Sequence, residues 1–298
     1  MAGGTSYRVF SPEVWSSFVK IYFQNKLYAA NHFLNFSSDL KGGGDMITIP
    51  NLTKGPAVGS FTTTTGAITD FIVAETRTQL TINNWKYSSK KFSDFEWGRI
   101  AGQYQLQDMY LKNDIAYRLA DKLDVDILNQ QLSGIYPHTG TSAVQINNTS
   151  IQESLRICAT YSVDPEGLAW FLHPNAFYGE ILRKNQFYDA SQFGRPVQSA
   201  GLFQPIGNLY GIPLYITNNV PTGSGIGGDG YPSTSHVNLL VHKRSIVYAI
   251  GNIDGMGVGP RLATEKVADA KAFRVIGDLA YGLKVTDNYG GVRMVSDT

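Results

Sequence analysis

The chain has 298 residues, of which 43% are hydrophobic and only 16% charged, with a net charge of +1. That length is enough for one large domain or two lobes with a full core, and the composition excludes an intrinsically disordered chain. The near-zero net charge excludes a strong field directed at nucleic acid, membranes or acidic partners. A charged share below the usual ~25% fits a surface given over to contacts, or one rich in Thr, Ser and Asn.

Cys158 is the single cysteine, so neither an internal disulfide nor a cysteine-based zinc site can form. It falls at helical spacing with Ile151 and Leu155, as a buried core thiol would. No apolar run reaches the ~18 residues of a membrane span. The opening Met1-Ala2-Gly3-Gly4-Thr5-Ser6 lacks a secretory signal. Synthesis in a cytoplasm is therefore expected, with the N-x-S/T matches at Asn35, Asn51, Asn147 and Asn148 idle.

Ser11-Pro12-Glu13 predicts a helix start: an N-cap, a proline at the first helical position and an acid in the first turn. The helix places Trp15, Val19, Tyr22, Leu27, Ala30 and Leu34 on one face, widened by Phe18, Ile21 and Phe23, and is expected to end around Phe36 to Asp39. Its broad face is expected between the arm and the long helix that follow.

The segment from Gly42 to Lys91 is polar and strand-forming. Alternation predicts strands over Met46–Ile49 and Thr78–Ile82, with turn signals from Lys54-Gly55-Pro56 to Gly66. Its apolar residues are too sparse for a core of their own, and an isolated hairpin is marginal in water. Such an arm must lie on other structure, either in this chain or in a neighbouring subunit. The local cluster Lys86, Lys90 and Lys91 suits a solvated strand end or intersubunit salt bridges better than nucleic-acid binding.

Ser93-Asp94-Phe95-Glu96 matches a capping box. The helix it opens, about forty residues long, carries Trp97, Ile100, Tyr104, Leu111, Ile115, Leu119, Leu123 and Ile127 on one side and stops at Ser133-Gly134. At 1.5 Å per residue it would span about 60 Å. Beyond Tyr136 the texture is mixed α/β. A second capping box at Ser150 to Glu153 opens a helix, Gly167–Leu172 reads as a buried strand, and Pro174–Lys184 as a short helix. Gly211–Thr217 and Val237–Val241 read as strands joined by a glycine-rich loop. Ala272–Ile276 is a strand. A closing hairpin is read from Tyr281–Val285, through Asn288-Tyr289-Gly290-Gly291, into Val292–Val295.

Chemistry-bearing motifs are weak. Gly223-Ser224-Gly225-Ile226-Gly227-Gly228 is a literal G-x-G-x-x-G, but it continues into Asp229 to Ser235 instead of the helix a dinucleotide site needs. His32, His138, His173, His236 and His242 show no metal spacing, and His242 reads as a solvated strand edge beside Lys243 and Arg244. Asp124 and Asp126 on the long helix point about 200° apart and do not converge on one ion. No catalytic, cofactor-binding or metal residue is assigned, and no enzyme activity is expected.

The order of parts is what carries a likeness. Asp45-Met46-Ile47-Thr48-Ile49-Pro50, Tyr210 to Pro221, Val241 to Ala249 and Ala280 to Val285 occur in the sequence of an arm, a hairpin, a long helix, an inserted α/β lobe and returning strands. In this the chain resembles the major capsid proteins of tailed bacteriophages, with the Hong Kong 97-like capsid fold. The resemblance implies an α+β fold with an N-arm and helix (1–41), an extended β-hairpin loop (42–92) and a peripheral domain with a long spine helix (93–136). An inserted α/β axial domain (137–261) and peripheral return strands (262–298) complete it.

It further implies a coat protein that self-assembles as hexamers and pentamers into an icosahedral virion shell around double-stranded DNA, formed in the host cytoplasm. The partners implied are other copies of the chain, a separate scaffolding protein, a portal, and DNA held by weak non-specific contact, with no membrane. With no long helical leader ahead of the arm, scaffolding would come from a separate chain. Lys54 would be a crosslinking lysine by position alone. An encapsulin-type nanocompartment shell shares the architecture, and a cytoplasmic α/β nucleotide-binding enzyme is the reading from another class.

Overall fold

The computed structural model describes residues 27–40, 44–52, 75–94, 114–133, 137–139, 146–181, 207–222, 235–251, 261–267 and 271–296. The first helix before Leu27, the start of the long helix (95–113), Lys54 and the glycine loop at Gly223–Gly228 lie outside the described residues.

Two sheets face each other across a shared core. The five-stranded sheet runs β1 (Leu34–Asn35), β10 (Ile246–Ile250), β12 (Ala272–Val285) and β11 (Arg261–Val267), with β4 (Asn84–Ser93) on the other edge of β12. The six-stranded sheet runs β5 (His138–Thr139), β13 (Gly291–Ser296), β9 (His236–His242), β6 (Leu168–Leu172), β8 (Ile212–Ile216) and β7 (Gly207–Leu209). Between them lie α1 (Ala29–His32) and α2 (Ala116–Ser133). Their Ala29, Leu119, Leu123, Ile127 and Leu128 share one buried cluster with Phe171, Leu239 and Val241 of one sheet and Val275, Leu279 and Tyr281 of the other.

The far side of the six-stranded sheet is covered by α3 (Asn148–Thr160) and a π-helical turn, Asn175–Ile181. Ile151, Cys158, Phe177 and Ile181 pack there on Trp170, Leu214 and Met294. Trp170 is fully buried, and its indole Nε1 donates to the carbonyl of Leu209 at 3.3 Å, as a buried tryptophan requires. Cys158 is a core thiol, and burial pushes it up to about 11.

Three sequence readings need correction. The helix through Tyr28 ends at His32, and Leu34–Asn35 turns into β1, pairing in parallel with Val247–Tyr248. Ser93 is the last residue of β4, whose ten residues pair with Ala272–Tyr281, and helical backbone follows at Asp94, so the helix starts where the sequence places it. The cap of α3 is Asn147, whose Oδ1 accepts from the Ser150 amide at 2.8 Å, while Glu153 pairs with Arg156. The closing hairpin does not form. Ala272–Val285 is one continuous strand between β4 and β10/β11, and Gly291–Ser296 crosses to pair with β9 and β5 in the other sheet.

The hairpin β2 (Met46–Leu52) and β3 (Glu75–Thr81) pairs in antiparallel register, Met46 with Thr81 through Leu52 with Glu75. Its base lies on the face of the five-stranded sheet opposite α2. Leu80 is fully buried there with Leu40, Val247 and Ala249, flanked by Phe36, Ile47, Ile49 and Ile82. The described end of the first helix meets α2, not the arm. The turn Ser37–Leu40 is what reaches the arm, through Leu40.

Candidate assembly surface

Three side chains hold α1 between the sheets. The Asp124 carboxylate accepts from the Ala29 amide at 2.7 Å, from the Ala30 amide at 3.4 Å and from Asn219 Nδ2 at 3.1 Å. Asn219 Nδ2 also donates to Asp121 at 2.9 Å. Asp124 has no exposed surface, and burial raises its pKa to about 6 against the lowering effect of these donors. The His32 ring packs edge-on against Phe171, with Nε2 at 3.3 Å from the Val241 carbonyl, and burial lowers it to about 4. Tyr248 Oη donates to the Ala30 carbonyl at 2.7 Å.

Asp126 faces elsewhere. It accepts from the Tyr281 hydroxyl and pairs with Lys122 at 2.6 Å, so the two aspartates of the D-x-D diverge. Burial first, and the bond to Asp126 second, raise the Tyr281 pKa.

His242 is not a solvated edge. It is 7% exposed, its Nε2 lies 3.1 Å from the Glu166 carbonyl, and its Nδ1 accepts from the Arg244 amide. His173 and His236 stack face to face with centroids 3.5 Å apart, and burial lowers both. Among the described residues no three His, Cys, Asp or Glu side chains gather to hold a metal ion, and no helix is long and apolar enough to cross a membrane.

What the described surface does offer is a pair of exposed aromatic side chains on one sheet face. Antiparallel partners project on the same side of a sheet, so Trp85 stands with Ala280 and Tyr87 with Asp278 on the face away from α2. Trp85 is 67% exposed and Tyr87 75%, at the edge strand β4. Beside them run cross-strand ion pairs: Arg261 to Asp278, bidentate at 2.8 and 3.1 Å, and Arg274 to Glu265 at 3.1 Å. Lys86 and Lys90 project to the α2 side of β4 and Lys91 to the other, so the basic cluster is divided between two faces. Lys90 lies over the Phe92 ring, 5.3 Å from its centroid.

The arm base and the aromatic pair therefore share one face. One half is covered by the chain's own hairpin; the other presents Trp85 and Tyr87. Sequence alternation could have flagged Trp85 and Tyr87 as one face of β4, but it could not say that this face lies away from the core.

This is an α+β fold, dominated by strands, of the kind found in phage capsids. Over nearly its full length the chain is similar to a structure from Mycobacterium phage Che8, with 17% identity, TM-score 0.70, and 97% and 98% of the two chains covered. The capsid structure of cyanophage P-SCSP1u matches at 12% identity and TM-score 0.66, covering 98% and 93%. The capsid of Ralstonia phage GP4 matches at 15% identity and TM-score 0.63, covering 99% and 98%. No family model and no curated protein matches the sequence. At these identities the likeness establishes the fold.

Proposed function

We propose that the chain is the major capsid protein of a tailed bacteriophage, a structural protein without catalytic function. In this reading it assembles as hexamers and pentamers into an icosahedral shell around double-stranded DNA. The observation that carries the reading is the end-to-end likeness to phage capsid chains, which spans 93% of the P-SCSP1u chain and 98% of the GP4 chain.

The same reading divides the chain as an N-arm and helix (1–41), an extended loop (42–92), a spine helix (93–136), an axial lobe (137–261) and return strands (262–298). Sheet pairing exchanges two strands across those limits: 246–250 lies with the spine-helix sheet and 291–296 with the six-stranded one. The arm would lie on a neighbouring copy, and so would the Trp85 and Tyr87 face. Many identical weak contacts close a shell and still let misplaced subunits leave. Scaffolding protein, portal and DNA are the remaining partners of the proposal.

Negative-stain microscopy of the purified chain, alone and with a co-expressed scaffolding protein, tests it. Uniform shells or capsomer rings are expected. Small compact particles under every condition would overturn it.

A further inference from the structure

The arm crosses its own sheet on a seat made of four small residues. Ala249 pairs with Gly282, and the Gly251 amide donates to the Ala280 carbonyl at 2.8 Å. Antiparallel partners and alternate residues share a face, so Ala249, Gly251, Ala280 and Gly282 all project toward the arm. A Cβ built on Gly282 falls well inside 3.0 Å of the Thr81 carbonyl carbon and oxygen, a separation real Cβ atoms essentially never show. A Cβ on Gly251 meets Ile82 Cγ2 at 3.0 Å. The two obstacles differ in kind: Thr81 presents backbone, Ile82 a side chain that can be trimmed.

Thr81 is the last residue of β3, and the next amide, that of Ile82, donates to the Asp45 carbonyl at 2.8 Å and closes the hairpin base. The backbone contact at Gly282 therefore lies where the arm leaves the sheet. Any side chain there lifts both strands of the hairpin together, because β2 and β3 are locked in register over seven pairs.

We infer that Gly282, supported by Gly251, is a positioning residue that sets the direction in which the arm leaves the subunit, and thereby the curvature of the assembly the arm joins. The link to curvature rests on the shell reading; the link to arm direction does not. A rigid two-stranded lever rotated at its base displaces its far end in proportion to its length. The described pairs alone extend about 20 Å at ~3.3 Å per residue.

The test uses the full-length chain with spin labels at Thr48→Cys on the arm and Thr264→Cys on β11, both exposed. Cys158 is buried with its thiol pushed up to about 11, and takes no label. Interspin distances are measured on the unassembled chain and particle diameter on the assembled one, for wild type, Gly282→Ala, Gly251→Ala, Ile82→Ala and Gly251→Ala with Ile82→Ala. Gly282→Ala is expected to shift the distance and to abolish or resize the particles. Gly251→Ala should shift the distance less, and adding Ile82→Ala should return it to that of Ile82→Ala alone.

Unchanged distances in Gly282→Ala and Gly251→Ala overturn the seat, whatever the particles do. Shifted distances in a chain that never forms shells support the seat and sink the shell reading. Shifted distances with shells of unchanged diameter sever arm direction from curvature. If Gly282→Ala does not fold, the Gly251 pair decides alone.

Discussion

Asp124 and His32 hold the same four-residue helix and titrate in opposite senses. Burial favours the neutral acid at Asp124, raising it from 3.8 to about 6, so the folded chain binds this proton more tightly than the unfolded one. Its contribution to stability is complete below the unfolded value and is lost as pH rises through about 6. Burial lowers His32 from 6.5 to about 4, so its contribution is complete above 6.5 and is lost as pH falls through about 4. Asp124→Asn should therefore flatten the loss of stability on the rising side and leave the acid side unchanged. Urea unfolding of the unassembled chain at a series of pH values checks this. Asp124→Ala should cost more, about 1–3 kcal/mol, because it strands the buried Ala29 amide. A cost near zero would mean that water replaces the carboxylate.

Among the described residues, the arm base rests on the smallest of three buried clusters and should open independently of the rest. Leu80→Ala removes the one fully buried side chain among the described arm residues from a cluster of four buried residues. A buried leucine truncation costs about 2–5 kcal/mol, here charged to the hairpin base. Hydrogen exchange should speed up across Met46–Leu52 and Glu75–Thr81 while β6 and β9 keep their protection. Equal acceleration in β6 would show that the arm is not a separate cooperative unit.

The hairpin strands were legible because their pattern is local: Ile47 and Ile49 alternate with exposed residues, as do Thr78 and Leu80 with Arg77 and Gln79. The buried strands Leu168–Leu172 and His236–His242 were legible as continuous apolar runs. The path of β12 was not. Gly277 and Gly282 interrupt its apolar pattern and suggest breaks, yet both lie within one strand, and at Gly282 the missing side chain admits the Thr81 backbone. Nor could a turn signal such as Asn288-Tyr289-Gly290-Gly291 reveal that β13 leaves its chain neighbour for β9, since partner choice is a long-range matter. The burial of His242 likewise depends on Gly167 and Glu166, some 75 residues away, as its bond to Glu166 spans 76 positions. At the surface, Trp85 and Tyr87 were readable as strand residues, but their exposure was set by which side α2 occupies.

At the scale of the whole molecule, that exposure costs the isolated subunit little to change and should cost the assembly much. Side chains two-thirds or more exposed contribute little folding energy, and substitutions at such surface positions usually fall within about 0.5 kcal/mol. Trp85→Ala with Tyr87→Ala should leave unfolding of the unassembled chain nearly unchanged. In a subunit contact, by contrast, buried Trp and Tyr anchors typically lose about 2 kcal/mol or more on truncation. At about 1.4 kcal/mol per tenfold change, a loss of that size raises the concentration needed for assembly by about 30-fold. Light scattering over a concentration series, for wild type and the double variant, reads this threshold directly. A threshold that does not move would show that the face is not part of the subunit contact, and would leave the arm as the element that carries it. A threshold that rises while unfolding is unaffected would place the aromatic pair in the interface, because only contact with another copy can turn exposed rings into stabilising ones.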